Sequence, residues 1–256
     1  MDRLKKIKLI RETLKKGGHS IGSWIQIPNT SIAEIIGNAG YDWVAVDMEH
    51  GSISVSQLPD LFRALELGNT LPLVRIAQGE SKECKQALDA GAGGLIIPMI
   101  ESAIQLKNAI NYSKWPPSGK RGVGFSRANL FGKNFDKYVE EAQQPIIIAM
   151  IENMNAVNEL DNILKVEGLD AILIGPYDLS ASLNLTAKFN EQKFLDVMQT
   201  IKAKADKRNI PCGIHVVEPD KTELIKKIDD GYRFIPYSID SVVFEKHIIN
   251  PLKINK

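Results

Sequence analysis

From residue 20 onward the chain keeps one rhythm: a short apolar run rich in β-branched residues, a turn, an amphipathic stretch, then another apolar run. The runs fall at residues 20–27, 41–47, 71–76, 94–99, 145–151, 171–174, 212–217 and 234–237. Most do not alternate apolar with polar residues, as half-exposed strands would. They read as strands buried on both faces, which is how a parallel sheet covered by helices looks in sequence. Helical spacing fills the intervals at 31–37, 54–67, 81–90, 101–112, 134–142, 156–164, 190–207, 220–229 and 241–249. Ser31-Ile32-Ala33-Glu34 has the capping-box pattern, and Ser54-Val55-Ser56-Gln57 a similar cap, each at the head of a helix.

Eight strand–helix units within residues 20–249 predict a (β/α)8 TIM barrel, one domain spanning residues 1–256. Four segments echo one another, Ala39-Gly40-Tyr41-Asp42, Ala90-Gly91-Ala92-Gly93, Glu167-Gly168-Leu169-Asp170 and Asp230-Gly231-Tyr232-Arg233. In each, glycine ends a helix and an apolar strand follows, so these are repeated helix-to-strand turns. The rival, an open doubly wound sheet, would carry Gly-x-Gly-x-x-Gly after its first strand, and this chain does not. Ahead of the barrel, Leu4, Ile7, Ile10 and Leu14 predict an extra amphipathic N-terminal helix over 3–16, a lid or packing element stopped by Gly17-Gly18.

With 32 Lys+Arg against 31 Asp+Glu, the chain has no global field to recruit nucleic acid or an anionic membrane, and the expected partner is a small molecule. The first residues alternate charge with single apolar side chains and offer neither a signal-peptide core nor a membrane span, so a cytoplasmic protein is expected. Cys84 falls in a predicted helix and Cys212 in a predicted strand; they read as reduced, packed thiols, and neither has zinc-site spacing.

Active sites of such barrels lie at the C-terminal ends of the strands. Asp47, Glu49 and His50 follow the second strand, Arg75 ends the third, Glu152 follows the fifth and Asp178 the sixth. Glu152 and Asp178 on neighbouring strands make an oxygen pair suited to Mg²⁺ or Mn²⁺, with helix capping as the alternative for each alone. For Arg75 two roles are open: a buried ion pair with Asp47 or Glu49, or a clamp on a carboxylate or a forming oxyanion. His50 can work as an acid–base residue with Asp47 orienting it, or be a solvated loop histidine. His215 is a pocket residue or a satisfied strand histidine. No predicted strand holds a lysine, so Schiff-base chemistry has no candidate on the inner wall and carbon–carbon chemistry would need a metal as electron sink. Residues 115–132 carry Lys120, Arg121 and Arg127, which suggests anion binding; but this loop follows a helix, and a subunit contact is the expectation.

Together these segments resemble the HpcH/HpaI family of metal-dependent, class II pyruvate aldolases, within the phosphoenolpyruvate/pyruvate barrel superfamily. The resemblance covers nearly the whole chain. It rests on Ala39-Gly40-Tyr41-Asp42-Trp43 leading to Asp47-Met48-Glu49-His50, on Val74-Arg75, on Gly94-Leu95-Ile96-Ile97-Pro98-Met99, on Trp115-Pro116-Pro117-Ser118-Gly119-Lys120-Arg121-Gly122-Val123-Gly124, and on Ile151-Glu152 with Ile174-Gly175-Pro176-Tyr177-Asp178-Leu179-Ser180. It implies reversible cleavage of 4-hydroxy-2-oxo acids, such as 4-hydroxy-2-oxoheptanedioate or a 2-keto-3-deoxy sugar acid, to pyruvate and an aldehyde through a metal-bound enolate. Glu152 and Asp178 would bind Mg²⁺ or Mn²⁺, with Co²⁺ a further candidate. Arg75 would neutralise the enolate, His50 paired with Asp47 would move the proton, and Gly175, Pro176 and Tyr177 would join Arg75 in contacting substrate. The resemblance also implies a homo-oligomer, a hexamer with its last helix exchanged between subunits. Met150 stands where some members have Gln, which bears on the aldehyde. The alternatives are a metal-dependent oxo-acid decarboxylase or acyl-CoA lyase of the same superfamily, or a non-catalytic carboxylate-binding barrel.

Overall fold

The computed structural model of the protein describes residues 1–248 and 250. Strands β1 (Ser20–Ile25), β2 (Trp43–Asp47), β3 (Leu71–Arg75), β4 (Gly94–Ile97), β5 (Ile146–Ile151), β6 (Ala171–Ile174), β7 (Cys212–Ile214) and β8 (Phe234–Pro236) close in sequence order. Each neighbouring pair is parallel, including β8 back onto β1. This is the (β/α)8 barrel expected from the strand–helix period. The four repeated turns have one geometric cause: Gly40, Gly91, Gly168 and Gly231 all have left-handed backbones, with φ between 89° and 108°.

Successive side chains on a strand point to opposite faces, so each strand offers one set to the barrel axis and one to the helices. Trp43 and Ala45, Leu71 and Leu73, Ile146, Ile148 and Met150, and Ala171 and Leu173 point inward and form one buried cluster with Trp24 and Phe234. The outward set, including Val44, Val46, Val74, Ile147, Ala149 and Ile172, packs against helix residues such as Phe62, Leu106 and Leu160. Trp43 stacks on Phe234 at 4.2 Å, and its ring lies where a side chain at position 22 would go, so that a Cβ on Gly22 would overlap it.

The first helix, Arg3–Lys15, is capped by Asp2, whose carboxylate accepts from the Lys5 amide at 3.0 Å. Its Ile7, Ile10 and Leu14 join the interior cluster beside residues that begin strands, so the helix plugs the N-terminal end of the barrel. It packs there and is no lid over the opposite rim.

Several predicted boundaries shift. The helix after β1 is Thr30–Gly37, and its cap is Asn29, which accepts from the amides of Ser31 and Ile32; Ser31 already lies inside it. Ser54 and Gln57 bond to each other in a turn, and the helix begins at Leu58. The span 156–164 divides into Met154–Asn158 and Leu160–Ile163. β7 ends at Ile214, after which Val216 makes a single bridge to Tyr237. The last helix is Asp240–His247; the predicted end at Ile249 lies outside the described residues. Cys84 and Cys212 are both buried and unpaired, and none of the described helices is long and apolar enough to cross a membrane.

Candidate active site

The inward phase of the strands does not stop at the apolar cluster. Two residues beyond Ala45, Leu73 and Met150 it reaches Asp47, Arg75 and Glu152, all buried, on the C-terminal rim. Register brings the first two together, since Asp47 is the pairing partner of Arg75 across β2 and β3. Arg75 Nε and Nη2 donate to the two carboxylate oxygens of Asp47 at 2.8 and 2.6 Å, and Nη1 lies 3.0 Å from Glu49. The guanidinium also lies over the Trp24 ring at 5.0 Å. Burial alone would raise the Asp47 carboxyl, but the hydrogen bonds and charge of Arg75 hold it below its ordinary value.

This corrects one expectation. Asp47 does not orient the His50 imidazole. Its oxygens are taken by Arg75 and by the Gln26 amide at 2.9 Å, and its contact with His50 is with the backbone N–H, at 3.3 Å. With a second bond from the Glu49 amide, Asp47 shapes the turn that carries His50 to the cavity edge, where the ring is exposed. Glu49 is a partner of Arg75; burial raises its carboxyl, opposed by the charges of Arg75 and His50.

Across the barrel, Glu152 Oε1 accepts from the Met99 amide at 2.6 Å, and Met99 has a left-handed backbone at φ 52°. Its other oxygen leaves no room for a side chain at position 175, where a Cβ would sit 2.5 Å from it. Glycine is therefore required after β6 for the carboxylate to lie as it does. Burial pushes the Glu152 carboxyl up to about 7; the Met99 amide opposes this, while Glu49 and Asp178 add to it. Asp178 is exposed in the first turn of the short helix Pro176–Ser182.

Trp24, Gln26, His50, Arg75, Met150, the stretch Gly175–Asp178 and His215 line one cavity of about 290 Å³. The exposed Tyr177 ring packs edge-on against Phe189 at 5.0 Å. Gln26 is a site residue that the sequence reading passed over, although it carries the same signal as the others: a polar side chain at the exit of an apolar strand. Among the described residues no three His, Cys, Asp or Glu side chains are placed to enclose a metal ion. Glu152 and Asp178 supply two oxygens, and a hard cation that keeps water or substrate in its other positions fits that donor set. The charges of Glu49 and Asp178 both raise the proton affinity of Glu152, a repulsion that a cation would relieve.

The loop over 115–132 turns two of its cations inward. Arg121 donates to the Tyr138 hydroxyl at 3.0 Å, and Arg127 pairs with Glu66 at 2.7 Å. Left exposed are Val123, Phe125, Leu130 and Phe131, so an anion site there loses its main donors.

The family model described as HpcH/HpaI aldolase/citrate lyase matches residues 20–250. The chain is 34% identical over 238 residues to a hydroxypyruvate/pyruvate aldolase of Roseobacter denitrificans, covering 91% of each chain. It is 35% identical over 244 residues to a 4-hydroxy-2-oxovalerate aldolase of Novosphingobium aromaticivorans, covering 94% of this chain and 91% of that one. A crystal structure of a HpcH/HpaI aldolase/citrate lyase family protein from Burkholderia cenocepacia superposes with a TM-score of 0.87 at 29% identity, covering 93% of this chain and 95% of the other.

Proposed function

Because this chain belongs to the HpcH/HpaI aldolase/citrate lyase family, we propose that its rim cavity reversibly cleaves 4-hydroxy-2-oxo acids into pyruvate and an aldehyde, as a carbon–carbon lyase of the class II type. One observation carries this reading: a clamped guanidinium on β3 and the Asp178 carboxylate after β6 line one cavity, and the buried Glu152 carboxylate after β5 lies close enough for both charges to act on it. Glu152 and Asp178 would hold Mg²⁺ or Mn²⁺, Co²⁺ being a further candidate. A divalent ion bound there would polarise the 2-oxo carbonyl and stabilise negative charge that develops on its oxygen.

The chain's own side chains account for the rest. In the cleavage direction the 4-hydroxyl gives up its proton, the C3–C4 bond breaks, C4 leaves as the aldehyde carbonyl, and the electron pair remains on the pyruvate fragment as an enolate, later protonated at C3. Of the five N–H groups of Arg75, three point at Asp47 and Glu49, and two are left for the substrate oxyanion. Holding the guanidinium from both sides fixes it before substrate arrives, which is how preorganised charge lowers a barrier. His50, at the cavity edge, takes the 4-hydroxyl proton directly or through water and returns it at C3. Gly175, Pro176 and Tyr177 form the wall next to the carboxylates and contact the substrate.

We place the reaction in the cytoplasm, where two buried, unpaired thiols would stay reduced. The exposed Val123, Phe125, Leu130 and Phe131 support a homo-oligomer, proposed as a hexamer with its last helix exchanged, in which this loop meets a neighbouring copy. The functional reading is tested by pyruvate release from 4-hydroxy-2-oxo acids: Mg²⁺ or Mn²⁺ restores turnover to metal-stripped protein, and a chelator abolishes it. Full turnover in the presence of chelator contradicts metal dependence.

A further inference from the structure

The charged side chains lining the cavity, Arg75 at the end of β3 and Asp178 after β6, lie on one part of its wall with His50 after β2, whereas the arc from β7 through β8 to β1 presents Trp24, His215, Val217 and Ile239, with Met150 and Leu173 also in the lining. On the aldolase reading, on which this inference rests, the pyruvate unit lies with the charge. The aldehyde half of the substrate then faces the other arc.

His215 is the polar group on that arc with capacity to spare. Its Nε2 lies 3.1 Å from the Ser238 carbonyl oxygen, which can only accept, so Nε2 carries the proton and Nδ1 keeps a lone pair. Among the described residues Nδ1 has no hydrogen-bond partner. Burial takes the imidazole down to about 4, opposed by the Ser238 carbonyl and aided by Arg75, so the ring is neutral; it packs 5.1 Å from Trp24. Gln26, by contrast, has its amide nitrogen on Asp47 and its amide oxygen accepting from the Ser241 hydroxyl. Apart from Arg75, no lysine or arginine among the described residues lines the cavity, and Arg75 is already held by Asp47 and Glu49.

We propose that His215 Nδ1 accepts a hydrogen bond from a hydroxyl group on the aldehyde half, so that the protein selects short, uncharged, hydroxyl-bearing aldehydes over alkyl or carboxylate-bearing ones. A free acceptor within an otherwise apolar wall rewards one donor and leaves an alkyl tail without compensation. The cavity has no spare cation for a second carboxylate.

The test compares kcat/KM for pyruvate release from three 4-hydroxy-2-oxo acids of equal chain length whose tails end in hydroxymethyl, methyl or carboxylate. Wild-type protein is expected to favour the hydroxymethyl tail over the methyl tail by about tenfold or more. His215→Leu brings that ratio close to one, mainly through KM of the hydroxylated substrate, and His215→Gln, which keeps an acceptor, retains part of it. The ratio is internal to each variant, so a smaller folded fraction cancels. A wild-type ratio near one, a ratio unchanged in His215→Leu, or a preference for the carboxylate tail overturns the proposal. Exchange of the pyruvate methyl protons with solvent by wild-type protein is measured alongside. Exchange with no tail preference defeats the His215 inference alone; no exchange and no cleavage defeats the aldolase reading and the inference with it.

Discussion

At the N-terminal end of the barrel, Arg11 donates to both oxygens of Asp170 and to the carbonyls of Gln144 and Pro145, and Asp170 accepts in addition from the Ile147 amide. At the C-terminal end, Glu49, Glu152 and Asp178 crowd one another, and Glu152 stays protonated up to about pH 7. Both ends are made by the same strands and the same alternation. At the plugged end every charge shown meets its complement, and the apolar residues of the first helix close the axis. At the open end charges of one sign converge and Arg75 is shared between two carboxylates. Convergence of like charge with perturbed proton affinity at one rim is how functional sites differ from the rest of a fold.

The largest effect that would sharpen this contrast is expected from Arg75→Ala. It removes the oxyanion partner and leaves Asp47 buried without its cation. Pyruvate release should fall by about a thousandfold, and stability to denaturant by about 3–5 kcal/mol. A variant with normal turnover would break the contrast at the open end. Trp43→Ala probes the other end. Emptying the space over Gly22 and beside Phe234 should cost about 3–5 kcal/mol, read as a drop in Tm of roughly 10 °C, while KM for the oxo acid stays unchanged. A raised KM at unchanged stability would show that the two ends are not separable. Gly175→Ala is smaller. Its Cβ would meet Glu152 Oε2 at 2.5 Å, so the carboxylate must turn away. Affinity for Mn²⁺, measured calorimetrically, should weaken by roughly 10–100-fold.

How much of this could be read in the chain follows the same division. Strand ends are local: an apolar run that exits in Asp47, Arg75 or Glu152 announces itself, and so do the four glycine turns. What the run cannot announce is where the side chain goes next. Asp47 and His50 are near in sequence, which made them a natural dyad, but register sets Asp47 against Arg75, and the bidentate geometry takes its oxygens. The need for glycine at 175 depends on a carboxylate that arrives from a different strand. Arg121 and Arg127 suggested an anion site because their destinations, Tyr138 and Glu66, are distant in the chain or lie on another element. His215 left two readings open in sequence, and the structure joins them just past the end of β7: one ring nitrogen is bonded to the Ser238 carbonyl, and the ring lines the cavity.

Glu152 joins the two halves of the account, because the group assigned to function should also weaken the empty fold. Its carboxyl is raised from an ordinary value of 4.5 to about 7. It therefore contributes stability that is fully present below pH 4.5 and lost as pH rises through 7, on the order of 2–3 kcal/mol in metal-free protein. The decisive measurement is Glu152→Gln at pH 8, by thermal unfolding without metal and by pyruvate release with Mn²⁺. A higher Tm than wild type and no detectable pyruvate are expected. Turnover close to wild type, or a lower Tm, would contradict this expectation.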